Sequence, residues 1–235
     1  MELTTLVTKY HPKSIDNFIG LNGHKRIIKN YLAHPYPASW LFSGPPGTGK
    51  TSMAMFMADS IVRPNAPDVA FCACIGQFHG RECNAENMDK IKQGRGWSWY
   101  SFNENTPPKQ IPWRVIIVDE ADEMTNAAYI DLLGIMPSKE WEHFPLVLIF
   151  TCNHVERVDS RGNLTWKLEP RFLSRCRHLK FSTYGMFDDI VAHLKRIWSL
   201  EAPGVPEPKI EDIVRESKNN IRDALSALEL ELLSL

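Results

Sequence analysis

No stretch of this sequence approaches the roughly 18 consecutive apolar residues that a membrane-spanning helix needs, so no such helix is expected. Met1–Tyr10 carries no apolar core behind a basic start, so no secretory leader is expected either. Cysteine is sparse: the five are Cys72, Cys74, Cys83, Cys152 and Cys176, too few and too scattered for a disulfide scaffold, which points to a reducing cytoplasm. Charge of one sign is also lacking. The net charge is −1, which gives no chain-wide attraction to nucleic acid or to a membrane. No internal repeat with a period of roughly 20–50 residues is present, which excludes solenoids and propellers.

What is present fits a globular chain of 235 residues, with 43% hydrophobic and 23% charged residues, enough for one large domain or for one domain plus a small satellite. Charge is unevenly spread. Glu156–Lys180 holds seven Lys/Arg against three Asp/Glu, and Phe181–Leu235 holds six against ten, so local docking to DNA or to a neighbouring subunit is compatible with the near-zero total. Five segments read as strands: Trp40–Ser43, Ser98–Phe102, Val115–Val118, Leu146–Thr151 and His178–Phe181. Helical spacing covers Gly23–Leu32, Ser52–Val62 and Ala127–Met136 between them. Alternating strands and helices predict a parallel α/β sheet. Beyond Thr183 only helical faces remain: Ile190, Val191, Leu194, Ile197 and Trp198; Ile210, Ile213 and Val214; Ile221, Ala224, Leu225 and Leu228. The expected organisation is a domain over 1–182 and a helical lid over 183–235.

The chemistry concentrates in a few motifs. Gly44-Pro45-Pro46-Gly47-Thr48-Gly49-Lys50-Thr51 fits G-x-x-x-x-G-K-[ST] between a strand and a helix that continues at Ser52. Such a loop curls its backbone N–H groups inward onto phosphate oxygens, and the helix behind it adds its positive end. Lys50 would reach the β- and γ-phosphates and Thr51 would ligate Mg2+. Val115–Val118 ends in Asp119-Glu120, an apolar strand delivering one carboxylate for the metal shell and a second to activate water. Leu146–Thr151 ends at Cys152-Asn153, and an amide at a strand tip can contact a γ-phosphate or the attacking water.

Arg175 precedes the last strand and could complete a neighbour's site. Arg222, in the first turn of the last helix, is a cation where the helix dipole disfavours one, which suggests a phosphate partner. Cys72, Cys74, His79 and Cys83 form a Cys-rich stretch within 70–96 that could hold zinc, or could simply supply small core residues. Trp97, Trp99 and Tyr100 read as strand packing rather than a base-stacking platform.

In order and spacing these motifs resemble the clamp-loader branch of the AAA+ ATPases, especially replication factor C small subunits and bacterial gamma/tau subunits. Lys9-Tyr10-His11-Pro12 with Phe18-Ile19-Gly20 is similar to the family's adenine-pocket segment, although the family has Arg where His11 stands. Asp119-Glu120-Ala121-Asp122 resembles its metal and catalytic-base motif, Asn153 its sensor-1 position, Ser174-Arg175-Cys176 its trans-acting arginine motif, and Arg222 its sensor-2 arginine, with Asn219-Asn220 replacing the usual Gly-Asp. Cys74 and Cys83 echo the first two zinc ligands of the gamma/tau subunits.

The resemblance implies an ATP- and Mg2+-dependent ATPase acting in DNA replication in the cytoplasm, in association with the nucleoid. Its catalytic residues would be Lys50, Asp119, Glu120, Asn153, Arg175 and Arg222, and its nucleotide-binding residues Tyr10, Pro12, Ile19, the loop Gly44–Thr51, Ser52, Asn153 and Arg222. Expected partners are other AAA+ subunits in a head-to-tail ring, a sliding clamp and primer–template DNA; the family's helical collar would come from a separate collar-bearing subunit, or the chain is a fragment, or AAA+ contacts alone hold the ring. A helicase loader, a recombination factor, or a nucleotide-binding scaffold without turnover are the competing readings.

Overall fold

The computed structural model describes residues 4–65, 74–84, 87–88, 113–136, 145–158 and 164–235. Five strands form one parallel sheet: β1 (Ala38–Ser43), β2 (Ile75–His79), β3 (Arg114–Asp119), β4 (Leu146–Cys152) and β7 (Arg177–Lys180), in the order β2-β3-β4-β1-β7. Two three-residue strands, β5 (Glu156–Val158) and β6 (Leu164–Trp166), make a separate antiparallel hairpin. Strand number and class agree with the sequence reading. One strand is reassigned: β2 lies within the stretch read as irregular, while Ser98–Phe102 falls outside the described residues, as do Trp97, Trp99 and Tyr100.

The apolar runs of β1, β3 and β4 follow from burial on both sheet faces, with side chains alternating between them. Trp40, Phe42, Val115, Ile117, Val147 and Ile149 pack against α2 (Asn22–Ala33) and α3 (Lys50–Val62) through Ile28, Tyr31, Met53, Met57 and Ile61. Leu41, Ile116, Val118, Leu148 and Phe150 face the other way, onto Ala128, Tyr129 and Leu132 of α4 (Asn126–Ile135) and Phe172 of α5 (Pro170–Leu173). Phe42 and Phe150 are fully buried, and at about 25 cal/mol per Å2 of apolar area removed from water such rings dominate each face.

Three helices, α6 (Phe187–Glu201), α7 (Ile210–Glu216) and α8 (Ile221–Leu233), enclose a third core of Ile190, Leu194, Ile197, Trp198, Val214 and Leu228. Leu6 of the short α1 (Leu6–Lys9) is buried in that core, and Val7, Tyr10 and Ile19 pack on it. Lys9 Nζ reaches Glu201 Oε2 at 2.8 Å, and the Tyr10 hydroxyl donates to the same carboxylate. The start of the chain therefore packs with the C-terminal helices. No helix among the described residues is long and apolar enough to cross a membrane.

The register fixes where chemistry can occur. Ser43 stands opposite Cys152, and His79 opposite Asp119. The residues that follow β1, β3 and β4 emerge side by side at the carboxyl ends of the strands, where open α/β sheets bind ligands.

Candidate functional site

The loop after β1 is shaped by two close approaches. Gly44, at φ +145°, lies so near the Phe181 carbonyl that a Cβ would come within 2.2 Å of its oxygen. Gly47, at φ +74°, lies under the amide of Asn220, where a Cβ would come within 1.8 Å of Asn220 Oδ1. Only glycine takes such φ values without strain and leaves room for these neighbours. The Gly44 N–H donates to the Cys152 carbonyl at 3.2 Å, tying the loop to β4. The Thr48 hydroxyl closes the loop onto the Pro45 carbonyl at 2.9 Å.

Lys50 opens α3 and is 7% exposed. Its ammonium donates to the carbonyls of Gly44 (2.7 Å) and Pro45 (2.8 Å) and to Asn153 Oδ1 (3.1 Å). Burial pulls its pKa below the usual lysine range, against the opposing influence of Cys152 and the Asp119 carboxylate. A buried cation resting on weak carbonyl acceptors is well placed to exchange them for an anion.

Asp119 accepts from the Thr51 hydroxyl at 2.9 Å and from the Thr151 hydroxyl. An oxygen pair of hydroxyl and carboxylate is the ligand chemistry that Mg2+ takes beside phosphates, so these residues fit that ion. Glu120 takes the left-handed conformation at φ 52° and ψ 49°, its N–H donating to Thr151 Oγ1 at 3.2 Å. Its side chain does not point freely at the loop: Glu120 Oε2 is 3.0 Å from His79 Nε2. The turn behind it is anchored by Lys167, whose ammonium reaches the largely buried Asp122 at 2.8 Å and Glu123 at 3.5 Å.

Two adjoining cavities share Gly47, Gly49, Thr51, Ser52 and Arg222 in their walls. The smaller, about 120 Å3, adds Pro46, Lys50, Asp119, Glu120, Thr151 and Asn153. The larger, about 310 Å3, is mostly apolar and includes Tyr10, Pro12, Phe18 and Ile19. Arg222 enters from the helical region. Asn220 caps α8, accepting from the N–H groups of Arg222 (3.0 Å) and Asp223 (3.3 Å), and the residues before it, Lys218 and Asn219, adopt positive φ.

The structure thus gathers Tyr10, Pro12, Ile19, the loop, Ser52, Asp119, Glu120, Asn153 and Arg222. It does not bring Arg175 to them. That residue is exposed, and its guanidinium donates to the Leu133 carbonyl at 2.5 Å. Since Arg177 pairs with Trp40, Arg175 sits by the opposite end of the sheet from Ser43.

Among the described residues the structure does not assemble the zinc set, and it favours the reading of Cys74 and Cys83 as small core residues. Cys72 lies outside the described residues, and the other three ligands diverge. Cys74 precedes β2 and His79 ends it, about 16 Å apart at strand rise. Cys74 packs in the core on one sheet face and Cys83 in the core on the other, with the Cys83 thiol against the His79 carbonyl at 3.6 Å. Among the described residues no three His, Cys, Asp or Glu side chains converge on a metal position. Sequence reasoning gave His79 only a zinc role and missed Thr151, Lys167 and the contact of Asn220 with the loop. Thr151, two residues before Asn153 in a strand ending at the site, carried the only local signal; the others depend on register or on packing of the helical region.

Residues 40–178 match the family described as ATPase family associated with various cellular activities (AAA). The replication factor C small subunit of Archaeoglobus fulgidus is 28% identical over 223 residues, covering 95% of this chain and 62% of that protein. The DNA polymerase III subunit tau of Bacillus subtilis is 25% identical over 236 residues, covering 97% of this chain and 39% of that protein. The chain thus spans at most about three fifths of these relatives. Among solved structures, the Thermotoga maritima RuvB Holliday junction branch migration motor superposes with a TM-score of 0.66 at 20% identity, over 94% of this chain and 64% of that one, a likeness of fold.

Proposed function

The chain belongs to the AAA family of ATPases, and from that membership we propose that it binds and hydrolyses Mg-ATP at the carboxyl ends of its sheet, as a clamp-loader-type subunit. The observation that carries this reading is the convergence of Lys50, Thr51, Asp119, Glu120, Asn153 and Arg222 around one small polar cavity beside a larger apolar one.

Each residue has a task. The N–H groups of the loop and the start of α3 cradle the triphosphate, and Lys50 exchanges its carbonyl partners for phosphate oxygens. Thr51 and Asp119 would hold Mg2+, which on binding supplies positive charge that neutralises the phosphates. Glu120, once released from His79, takes the proton of the attacking water. Asn153, now on Lys50, can turn to the γ-phosphate or the water. Arg222 comes from the helical region, so phosphate contact there links nucleotide state to the position of α6–α8. The apolar cavity between the start of the chain and α8 suits a nucleobase.

Arg175 is exposed and remote from its own chain's cavity, which supports a role toward a neighbour. Donor and acceptor surfaces then differ, and repetition builds a head-to-tail ring. The replication factor C and tau relatives support the further reading that this ring acts on a sliding clamp and primer–template DNA.

Turnover of wild type against Glu120→Gln tests the enzyme. Wild-type hydrolysis with loss in the variant is expected; equal near-zero rates contradict catalysis. Mixing Arg175→Ala with Lys50→Ala protein tests the trans arginine, since some mixed interfaces regain an intact loop facing an intact arginine. Restored hydrolysis is expected, and none in demonstrably mixed assemblies contradicts the ring. Stimulation of hydrolysis by a sliding clamp with primed DNA separates clamp loading from other remodelling.

A further inference from the structure

The larger cavity contains a polar group that the reading above leaves without a task. His193 of α6 stands in its wall, among Val7, Ile19, Met55, Ile221 and Leu225. Its ring meets that of Tyr10 edge-on, with centroids 6.5 Å apart and planes at 88°. The other polar side chains there are engaged. The Tyr10 hydroxyl is held by Glu201, the Ser52 hydroxyl by His11 (3.0 Å), the Thr48 hydroxyl by the Pro45 carbonyl, the Thr51 hydroxyl by Asp119, and Asn17 Oδ1 by the Ser14 hydroxyl (2.6 Å). Arg222 is a donor only. Among the described residues, neither ring nitrogen of His193 has a hydrogen-bonding partner.

The imidazole is also neutral. Burial, and secondarily the nearby Arg196 charge, push its pKa down to about 4. A neutral imidazole carries one N–H donor and one nitrogen acceptor. The half-buried His193 ring stands in the wall of a ligand-sized, mostly apolar cavity, and an imidazole without a protein partner there is available to a ligand. Arg222 cannot accept, whereas the His193 ring offers an acceptor nitrogen with no existing bond to break before it meets a bound base.

We propose that His193 is a specificity-determining residue for the nucleobase, its unprotonated ring nitrogen accepting a hydrogen bond from the exocyclic amine of adenine. The assignment rests on the reading that a nucleotide occupies these cavities. Because His193 belongs to α6, the contact also makes the seating of the helical region depend on the base as well as on the phosphates.

The test compares affinities of the full chain for Mg-ATP and for the Mg complex of purine riboside triphosphate, which lacks the 6-amino group. Wild type is expected to prefer ATP by about three- to tenfold, the range of one neutral hydrogen bond. His193→Phe keeps a planar ring on Tyr10 and removes both nitrogens. It is expected to bind the two nucleotides equally, at the strength with which wild type binds the analogue. His193→Gln retains an acceptor and is expected to keep part of the preference, which decides the matter should the Phe variant not fold.

Equal binding of both nucleotides by wild type, survival of the full preference in His193→Phe, or parallel weakening of both nucleotides in that variant would each overturn the proposal. The last would mark His193 as packing alone. Failure of wild type to bind either nucleotide would instead overturn the nucleotide-binding reading beneath it.

Discussion

Replacing His79 by alanine should speed the proposed hydrolysis of ATP. In the structure Glu120 Oε2 lies 3.0 Å from His79 Nε2, an attachment that occupies the carboxylate proposed to take a proton from water. The two side chains are 39% and 43% exposed, so the contact is weakened by solvent. Half-exposed pairs of this kind contribute about 0.5–1 kcal/mol. If Glu120 must leave His79 before each turnover, that energy enters the barrier directly. Its loss raises kcat by about two- to fivefold, at 1.4 kcal/mol per tenfold. ATP affinity should hardly change, since His79 lines neither cavity. The assay is phosphate release at saturating Mg-ATP, with His79→Ala/Glu120→Gln as the control that should stay inactive. An unchanged kcat, or a fall, would refute the holding role and make His79 a bystander or a helper of Glu120.

Gly47→Ala should disrupt both ends of the site, because the new Cβ would come within 1.8 Å of Asn220 Oδ1 at a backbone angle only glycine adopts readily. Expected are at least tenfold weaker Mg-ATP binding and faster proteolysis around residues 218–222; an unaltered Kd would contradict the contact between loop and helical region. Lys167→Met leaves the Asp122 carboxylate, 4% exposed, without its cation. Removing one partner of a buried pair costs about 3–5 kcal/mol, and the quarter-exposed lysine reduces this to about 2–3 kcal/mol. Thermal denaturation should show a drop in Tm of about 5–10 °C for a chain of this size, and a drop under 1 °C would contradict the anchoring of the Glu120 turn.

The parts of the site written in contiguous residues were readable before the structure. Gly44–Thr51 declares its loop because glycines, lysine and threonine must follow one another. Val115–Val118 and Leu146–Thr151 declare buried strands because two-sided burial makes them continuously apolar, and Asp119, Glu120 and Asn153 then fall at strand tips. β2 was not readable. Ile75-Gly76-Gln77-Phe78-His79 is short, carries a glycine, and buries little of its length, so its pattern matches a loop as well as a strand. His79 gained meaning only from its register opposite Asp119. The same limit applied to Leu6, whose burial among α6–α8 depends on contacts nearly the whole chain away, and to Cys74 and Cys83, whose spacing suggested a shared metal until the sheet put them on opposite faces.

The central claim is that a triphosphate displaces the Lys50 ammonium from the carbonyls of Gly44 and Pro45. Calorimetric titration of the full chain with Mg-ATP, against Lys50→Ala, measures it most directly. Saturable binding by wild type, weakened a hundredfold or more in the variant, is the predicted result; indistinguishable curves, or a folded wild type that takes up no nucleotide, would contradict it.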